Sequence, residues 1–454
     1  MIRHSPAPGP PPRFLGGNLP AFRRDPLGFL LGAVREWGDV VGLWIGRQRA
    51  HLLCNPEHVQ HVLQTKQHDY LKDVPTLGRL RLVLGQGLVT SSGALWRRQR
   101  RIMQPAFSPE CVAALAPVMQ RVIADVAARW HALARAHAVI DVHREMMHLA
   151  FRVVAETLFS ADLSGITDDV RASVAVIQRQ TDERLYGLFG SPLWVPTRRN
   201  RVFRAALARL DGIVRDLIAR RRDARAAGED LLDMLITARD ETTGAPMADR
   251  QVRDEVLTLL LAGHENTGNA LTWMWYLIAR HPDVGRRIHT ELDAVLGDRP
   301  PTWLDLPALR YTRMVTEEAL RLYPTSWMLL RCAAWDDEIS GFHIPAGSVV
   351  LISPYVTHRH PAYWPNPDRF DPERFAESRT AERHRFAYLP FGAGARKCIG
   401  SHFAAGEVQL VVAALSQHYC LELLGDAPIE PEPLVSLPPK HGLPMRLSLR
   451  RGSG

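Results

Sequence analysis

A carboxylate, an amide and a hydroxyl occupy three consecutive positions in the stretch AGHENTG, residues 262–268. Glu265, Asn266 and Thr267 interrupt an apolar run, and a glycine lies on each side of them. The histidine before Glu265 begins the HExxH zinc motif, but Gly268 takes the place of the second histidine, so that motif is excluded. This stretch alone does not decide between a chemical role and a polar lining around a small internal water site.

The second candidate is Cys398, in the stretch FGAGARKCIGSHFAAGEVQL, residues 391–410. Glycines in the preceding loop lead it to the start of a predicted helix, where backbone N–H groups and the helix dipole favour the thiolate that binds metal. A lone buried cysteine is more often a small apolar side chain. Arg396 and Gly400 favour a ligand here, because small residues admit a flat cofactor and arginine forks onto a carboxylate.

The elements that would position these residues are mostly helices. Apolar residues recur at intervals of three and four over much of residues 96–240, and a final helix is predicted from 399 to 418. The run 256–279 is long enough to span a bilayer, but a charge on Glu265 would cost a few kcal/mol there, so we expect a buried central helix. Its two glycines each cost about 1 kcal/mol relative to alanine and predict close packing or a kink.

Short strands complete the predicted fold. A hairpin is expected within residues 40–55 and a second β region at 338–353. The loop 361–375 is rich in proline, but its aromatic residues need burial, which predicts an ordered loop. The expected fold is mainly α with minor β-sheets. Its predicted divisions are a flexible proline-rich segment 1–13, one compact domain 14–446 and a tail 447–454.

Composition and charge exclude several functional classes. The 454 residues carry a formal net charge of +8, mostly from arginine. No zinc-finger, RNP-like or basic-zipper pattern accompanies this charge, so an acidic protein fits it better than nucleic acid. The five cysteines are scattered without a CxxC pair, which argues against a disulfide framework and a zinc knuckle. No signal peptide begins the chain, so we expect a cytoplasmic protein without a membrane anchor.

Around the cysteine, Phe391-Gly392-x-Gly394-x-Arg396-x-Cys398-x-Gly400 matches the cysteine-loop signature of the cytochrome P-450 family at every fixed position. Further family marks occur in the expected order, namely Trp96-x-x-x-Arg100, Ala262-Gly263-x-Glu265, Glu318-x-x-Arg321 and Pro372-Glu373-Arg374-Phe375. A Glu-x-x-Arg pair alone carries no weight, because such pairs are common on helix surfaces. The ordered set covers residues 14–446 and resembles a soluble bacterial haem-thiolate monooxygenase.

The resemblance implies one haem b, with Cys398 as the axial thiolate whose electron donation favours cleavage of the O–O bond. The other haem contacts that it implies are Trp96, Arg100, Ala262, Arg331, Phe391, Arg396, Ile399, Gly400 and Ala404. Trp96 and the three arginines would meet the propionates, although a solvated strand arginine is the open alternative for Arg331. Three further residues would brace the proximal side, namely Glu318, Arg321 and Arg374.

One departure from the family pattern concerns proton delivery. Most relatives place threonine directly after the acid, but here Glu265 is followed by Asn266, with Thr267 one place later. One residue on a helix is about 100° of rotation. Either the Asn266 amide holds the relay water, or the helix is locally wound so that Thr267 reaches the site. All three are predicted catalytic residues, and His264 is expected to be structural.

The implied reaction inserts one oxygen atom from O2 into a lipophilic organic substrate, by hydroxylation or epoxidation. NAD(P)H would supply the electrons through a separate ferredoxin or flavodoxin and its reductase. A basic surface would receive this acidic partner, and it comprises Arg97, Arg98, Arg101 and Lys397.

Resemblance also places the substrate pocket along residues 71–88 and 185–195. The particular contacts expected are Leu259, Ala262, Trp327, Met328 and Leu437. Two alternatives to the monooxygenase stay open. One is a peroxide-driven peroxygenase or isomerase, which Asn266 favours and Glu265 opposes, and the other is a haem-based gas sensor or ligand carrier.

Overall fold

Helices dominate the fold, as the three- and four-residue spacing of apolar side chains predicts. The computed structural model describes residues 5–13, 16–160, 172–177, 179–181, 192–223, 230–239 and 244–450. In chain order, the named helices are α1 Leu19–Arg24, α2 Pro26–Trp37, α3 Pro56–Gln60, α4 Pro75–Leu84, α5 Gly93–Met103, α6 Pro109–Arg135, α7 Val142–Phe159, α8 Arg198–Asp223, α9 Leu231–Thr237, α10 Asp249–Arg280, α11 Pro282–Leu296, α12 Arg310–Leu322, α13 Pro354–Thr357, α14 Glu377–Thr380 and α15 Ser401–Ser416. Most of the long ones contribute to a single large apolar core, and the predicted mainly helical class is confirmed.

The longest of these helices, α10, crosses the core with most of its residues buried. It packs most extensively against α7. A Cβ atom on Gly263 would lie 3.0 Å from Cγ2 of Val154, and one on Gly268 would lie 2.5 Å from Sδ of Met147. The two glycines therefore permit the close approach of α7. Close packing, rather than a kink, explains them, because residues 262–268 stay α-helical.

Short strands form three small sheets in the described part of the chain. They are β1 Ser5–Pro6, β2 Val40–Ile45, β3 Gln48–Leu53, β4 Tyr70–Leu71, β5 Val139–Asp141, β6 Leu329–Ala333, β7 Asp337–Ile339, β8 Phe342–Ile344, β9 Val349–Ile352, β10 Tyr419–Leu423 and β11 Pro444–Leu449. The largest sheet has the order β2-β3-β9-β6-β4. Its β2–β3 pair is the predicted hairpin, and β7 to β9 confirm the predicted β region at 338–353.

Strands lie close to both ends of the described residues. The segment predicted to be flexible, 1–13, contains β1, which pairs in parallel with β8. The carbonyl oxygen of Pro8 also accepts a 2.7 Å hydrogen bond from the N–H of Gly42, because proline lacks a donor but keeps its acceptor. At the other end, β11 pairs with β10 through Leu449. Strand β11 therefore continues past residue 446.

One helix among the described residues, α6, is long and apolar enough to cross a membrane. The sequence had pointed to residues 256–279 as the only such stretch, but that run forms the buried part of α10. Helix α6 buries a stripe that includes Val112, Met119 and Trp130 and packs against α7 and α15. Core helices of this kind pass the same length and composition test, so this single helix is weak evidence for a membrane span.

Candidate functional site

The cysteine of the signature lies on a tight loop just before α15. Gly392 and Gly394 have φ angles of 64° and 68°, which residues with a side chain rarely adopt. A Cβ atom on Gly394 would also clash with the carbonyl oxygen of Leu63. The N–H of Cys398 donates to the carbonyl oxygen of Phe391 at 2.9 Å and closes the loop. The glycines thus allow the chain to bring Cys398 close to the start of α15.

Many protein atoms surround the thiol of Cys398, yet the residue keeps exposed surface. Burial raises the pKa of this thiol, while the backbone N–H of Gly400 and the charges of Arg100 and Lys397 lower it. The sequence predicts that the helix start favours the thiolate, but in the structure burial outweighs these groups. A metal cation at the sulfur would reverse that balance, because a coordinating thiol is deprotonated.

Three cationic side chains beside the cysteine loop need an anionic partner. Among the residues that the structure describes, none forms an ion pair with Lys72, Arg331 or Arg396. Burial lowers the pKa of Arg331 to about 10. Burial, with Arg331 and Arg100, lowers the pKa of Arg396 to about 10. Burial, with the charges of Arg331 and Arg396, lowers the pKa of Lys72 to about 7. Such a cluster is unfavourable alone, and the two carboxylates of a haem fit it.

Side chains around Arg396 orient it. Its guanidinium lies 4.0 Å from the centre of the Trp96 ring, and Nη2 donates to the carbonyl oxygen of Ser91 at 3.0 Å. Nη1 of Arg396 is buried without a partner. Arg100 turns elsewhere, because its Nη1 donates to the carbonyl oxygen of Lys397 at 2.9 Å. Of these two arginines, Arg396 therefore keeps a free donor for a propionate, whereas Arg100 is held against the cysteine loop.

Lys72 is a member of this cluster that the sequence motifs did not reveal. It directly follows β4, in which Leu71 pairs with Cys332 of β6. That pairing brings Lys72 next to Arg331 on the neighbouring strand. A lysine after a two-residue strand carries no motif, so only knowledge of the strand pairing could have identified it.

The remaining predicted haem contacts leave part of their surface uncovered by protein. Ala262 on α10 is half-buried. Four residues on both sides of the cysteine and on α15 are half-buried as well, namely Phe391, Ile399, Gly400 and Ala404. Core elements normally cover such residues completely, so these small and apolar side chains fit the faces of a flat cofactor.

The polar residues of α10 point in different directions. Thr267 is 3% exposed, and its hydroxyl donates to the carbonyl oxygen of Gly263 at 2.9 Å, on the side that faces α7. Asn266 is half-buried, and its Nδ2 donates to the carbonyl oxygen of Ala262 at 3.1 Å. Both bonds return to the carbonyl four residues earlier, which regular α-helix allows. The local winding that would bring Thr267 round is not observed.

Glu265 reaches from α10 to a loop near the C-terminus. The hydroxyl of Ser436 donates to Oε1 of Glu265, and Nδ2 of Asn269 donates to the same hydroxyl at 2.9 Å. Glu265 and Asn269 are four residues apart, so they share one side of the helix. Sequence motifs do not reveal Ser436 or Asn269, because neither belongs to a motif and the contact joins distant parts of the chain.

His264 has structural contacts only among those that the structure shows. Its Nδ1 lies 2.6 Å from the carbonyl oxygen of Leu260, and its ring meets Phe151 edge-on at 5.5 Å. Burial lowers the pKa of His264 to about 4, so the imidazole is neutral near pH 7. These contacts agree with the structural role expected for it.

A buried ion network braces the proline-rich segment that precedes the cysteine loop. Arg321 donates from Nε and Nη2 to Glu318 at 2.6 and 2.8 Å, and Arg374 lies 3.4 Å from the same carboxylate. Arg321 also donates to backbone carbonyls at positions 358, 367 and 369. The aromatic residues of loop 361–375 are buried as predicted, namely Trp364, Phe370 and Phe375.

The loop 85–91 lies directly on α10. The N–H of Gln86 donates to Oδ2 of Asp254 at 2.8 Å, and the N–H of Leu88 donates to Oε2 of Glu255 at 2.8 Å. Burial raises the pKa of Glu255 to about 7, although its hydrogen bonds oppose the shift. Two adjacent carboxylates therefore hold this loop about two turns before the polar stretch of α10.

The predicted substrate contacts divide into two groups. Ala262 and Met328 are half-buried, and Leu259 is 8% exposed on the same helix as Ala262. Trp327 and Leu437 belong to the core instead. Trp327 donates from Nε1 to a backbone carbonyl at 2.8 Å, and the carbonyl oxygen of Leu437 accepts an indole N–H at 2.6 Å. Most of the predicted pocket range 185–195 lies outside the described residues.

Comparisons with known proteins agree with this geometry. A family model described as Cytochrome P-450 matches residues 7–445. Cyclooctatin synthase of Streptomyces melanosporofaciens is 39% identical over 440 residues, covering 96% of this chain and 94% of that protein. Cyclooctat-9-en-7-ol 5-monooxygenase of the same organism is 38% identical and covers 91% and 89%. Pentalenene oxygenase of Streptomyces avermitilis is 35% identical and covers 98% and 97%. The crystal structure of the cytochrome P-450DA heme domain is 27% identical, with a TM-score of 0.89 over 98% of both chains.

Proposed function

The chain belongs to the cytochrome P-450 family, and we propose that this monooxygenase oxidises a terpenoid hydrocarbon or alcohol. Insertion of an oxygen atom into a lipophilic substrate is the activity of the family and of its named relatives. Two of those relatives are named for pentalenene and for cyclooctat-9-en-7-ol, an alkene and an alkenol. The similarity over nearly the whole chain supports oxidation of such a compound, by hydroxylation or epoxidation.

The observation that carries the haem assignment is the group of cations without a carboxylate partner beside Cys398. We infer that haem b is held there, with Cys398 at the iron and Lys72, Arg331 and Arg396 at the propionates. Guanidinium groups suit carboxylates because their planar forks match two oxygens. When bound, the haem supplies the activation of O2 and the transfer of one oxygen atom.

Proton delivery is assigned to Glu265 and Asn266. Glu265 takes protons from solvent and passes them toward the side of α10 that carries Asn266, whose amide can hold a relay water as donor and acceptor. Thr267 is not assigned to the relay, because its hydroxyl is bonded to Gly263 on the side facing α7. Asp254 and Glu255 keep loop 85–91 against α10 and so help to exclude water from this side.

Electrons are proposed to come from NAD(P)H through a ferredoxin or flavodoxin with its reductase. Arg97, Arg101 and Lys397 are exposed, and their positive charges would attract an acidic partner near the cysteine loop. Arg98 was expected to belong to this surface but is half-buried, so it contributes less. The bacterial relatives favour a cytoplasmic location.

Titration of the haem-loaded protein tests the substrate class. Pentalenene and cyclooctat-9-en-7-ol should each shift the haem absorption band on binding, whereas a fatty acid of similar carbon number serves as the control ligand. Product formation is then compared with ferredoxin, reductase, NADPH and O2, and with hydrogen peroxide alone. Binding of the fatty acid without binding of either terpenoid would overturn the substrate assignment, and product from peroxide alone would overturn the dependence on a redox partner.

A further inference from the structure

Ser436 contacts the carboxylate on which the proposed proton relay depends, although the two residues are far apart in the sequence. Its hydroxyl bonds to Oε1 of Glu265 and receives a 2.9 Å hydrogen bond from Nδ2 of Asn269. Ser436 is 2% exposed and Asn269 is 1% exposed. The buried pair Ser436 and Asn269 and the half-buried Glu265 therefore join the C-terminal loop to the polar stretch of α10.

The direction of both hydrogen bonds follows from the donors available. An amide nitrogen only donates, so Asn269 uses a lone pair of the Ser436 oxygen and leaves the serine proton for Glu265. A hydroxyl that donates to a carboxylate stabilises the charged form of that carboxylate. Glu265 is thus held as an oriented anion that can accept a proton.

The loop that carries Ser436 is itself fixed by hydrogen bonds to its backbone carbonyl groups. The indole N–H of Trp273 donates to the carbonyl oxygen of Leu437 at 2.6 Å, and that of Trp327 donates to the carbonyl oxygen of Leu434 at 2.8 Å. The N–H of Leu434 donates to the carbonyl oxygen of Ser436 at 2.9 Å. Because this backbone is fixed, the Ser436 hydroxyl can hold the Glu265 carboxylate in a defined position.

Neither side chain that follows Glu265 takes this role. Asn266 and Thr267 both donate to carbonyl oxygens of their own helix. We propose that Ser436 supplies, from another part of the fold, the hydroxyl that holds the Glu265 carboxylate in position. Ser436 is then the positioning residue of Glu265 in proton delivery, an inference that rests on the proposed relay.

The step moves one proton and no electrons. Glu265 accepts the proton from solvent, which weakens its charge-assisted bond to Ser436 and frees the carboxyl to turn. It then releases the proton toward the side of α10 that carries Asn266 and returns to Ser436 as the anion. Ser436 keeps its own proton throughout and acts only through Glu265.

Three serine variants of the haem-loaded full chain test this role, namely Ser436→Ala, Ser436→Thr and the matched control Ser353→Ala. Ser353 is also fully buried, and its hydroxyl donates to the carbonyl oxygen of Trp327 at 2.8 Å, without contact to Glu265. The first measurement is H2O2 formed per NADPH consumed, with a heterologous ferredoxin and reductase and pentalenene as the probe. The second needs no turnover: the pH at which the protonated carboxyl band appears in infrared difference spectra against Glu265→Gln.

Ser436→Ala should raise the H2O2 yield roughly threefold. It should also raise, by about one unit, the pH at which the protonated carboxyl band appears, since a hydrogen bond to a charged group is lost. Ser436→Thr should stay near wild type, and Ser353→Ala should change neither quantity. In the Glu265→Gln background, Ser436→Ala should add nothing to the H2O2 yield.

An unmoved infrared band in Ser436→Ala overturns the inference, and so does an equal effect of Ser353→Ala. If Glu265→Gln raises the H2O2 yield while Ser436→Ala does not, the inference fails and the relay through Glu265 stands. If Glu265→Gln itself leaves that yield unchanged, the relay is wrong and the role of Ser436 falls with it.

Discussion

Replacing Glu255 with glutamine should remove a cost that the folded protein carries at alkaline pH. Glu255 is fully buried on α10 and accepts the N–H of Leu88 at 2.8 Å. Burial raises its pKa from the ordinary value of 4.5 to about 7. A carboxyl with a higher pKa in the folded than in the unfolded chain binds its proton more tightly when folded. Stability therefore falls as the pH rises above about 4.5 and levels off above about 7.

The size of this effect follows from the shift of about 2.5 units between those two values. At 1.36 kcal/mol for each unit, the cost is about 3 kcal/mol. The unfolding entropy is about 2.1 cal/mol/K per residue, which for a chain of this length is about 1 kcal/mol/K. A change of about 3 kcal/mol in the free energy of unfolding should therefore move the melting temperature by roughly 3 °C. Glu255→Gln keeps an oxygen acceptor for Leu88 without a charge, so it should melt about 3 °C above wild type at pH 8 and near wild type at pH 5.

The assay is thermal unfolding of the haem-loaded protein, followed by far-ultraviolet circular dichroism at several pH values between 5 and 8 and one ionic strength. Glu422→Gln provides the control, because Glu422 is an exposed carboxyl on β10. If Glu255→Gln follows wild type at every pH, or melts lower at pH 8, the reasoning is refuted. The ionised carboxylate would then stabilise loop 85–91 by at least as much as its burial costs.

Three further predictions concern the site itself. Asn266→Ala should lower product formed per NAD(P)H several-fold because the relay water loses its holder, while Thr267→Ala should change it little; the opposite result would transfer the role to Thr267. Reversing Arg97 and Arg101 to glutamate should slow reduction by ferredoxin in stopped-flow measurements and flatten its salt dependence while leaving ligand binding intact; unchanged rates at low salt would exclude this docking face. Lys72→Met should speed haem transfer to apomyoglobin about tenfold, since a charge-assisted contact worth roughly 1.5 kcal/mol is lost; an unchanged rate would place Lys72 away from the propionates.

Features encoded by neighbouring residues could be predicted from the sequence. The loop around Cys398 depends on glycines within a few positions of it, and the pair Glu318 and Arg321 is one helical turn apart. The aromatic residues of loop 361–375 indicated burial directly. Such patterns specify geometry locally, which explains why they identified the family and the fold.

Contacts between distant segments could not be predicted in this way. Lys72 reaches Arg331 only because β4 pairs with β6, and Ser436 meets Glu265 only because its loop docks on α10. The choice between Asn266 and its neighbour required the rotation of each residue about the helix axis. The proline content of the N-terminus did not indicate β1, because proline carbonyls still accept hydrogen bonds at a sheet edge.

The absorption spectrum of the reduced carbon monoxide complex tests Cys398 as the haem ligand most directly. Wild type should show the band typical of thiolate ligation, and Cys398→His should lose it, because imidazole donates less electron density to the iron than thiolate does. Serine variants of the other cysteines should each keep the band, and these are Cys54, Cys111, Cys332 and Cys420. A thiolate-type band that persists in Cys398→His, or that disappears in one of the serine variants, would contradict the assignment of Cys398 as the iron ligand.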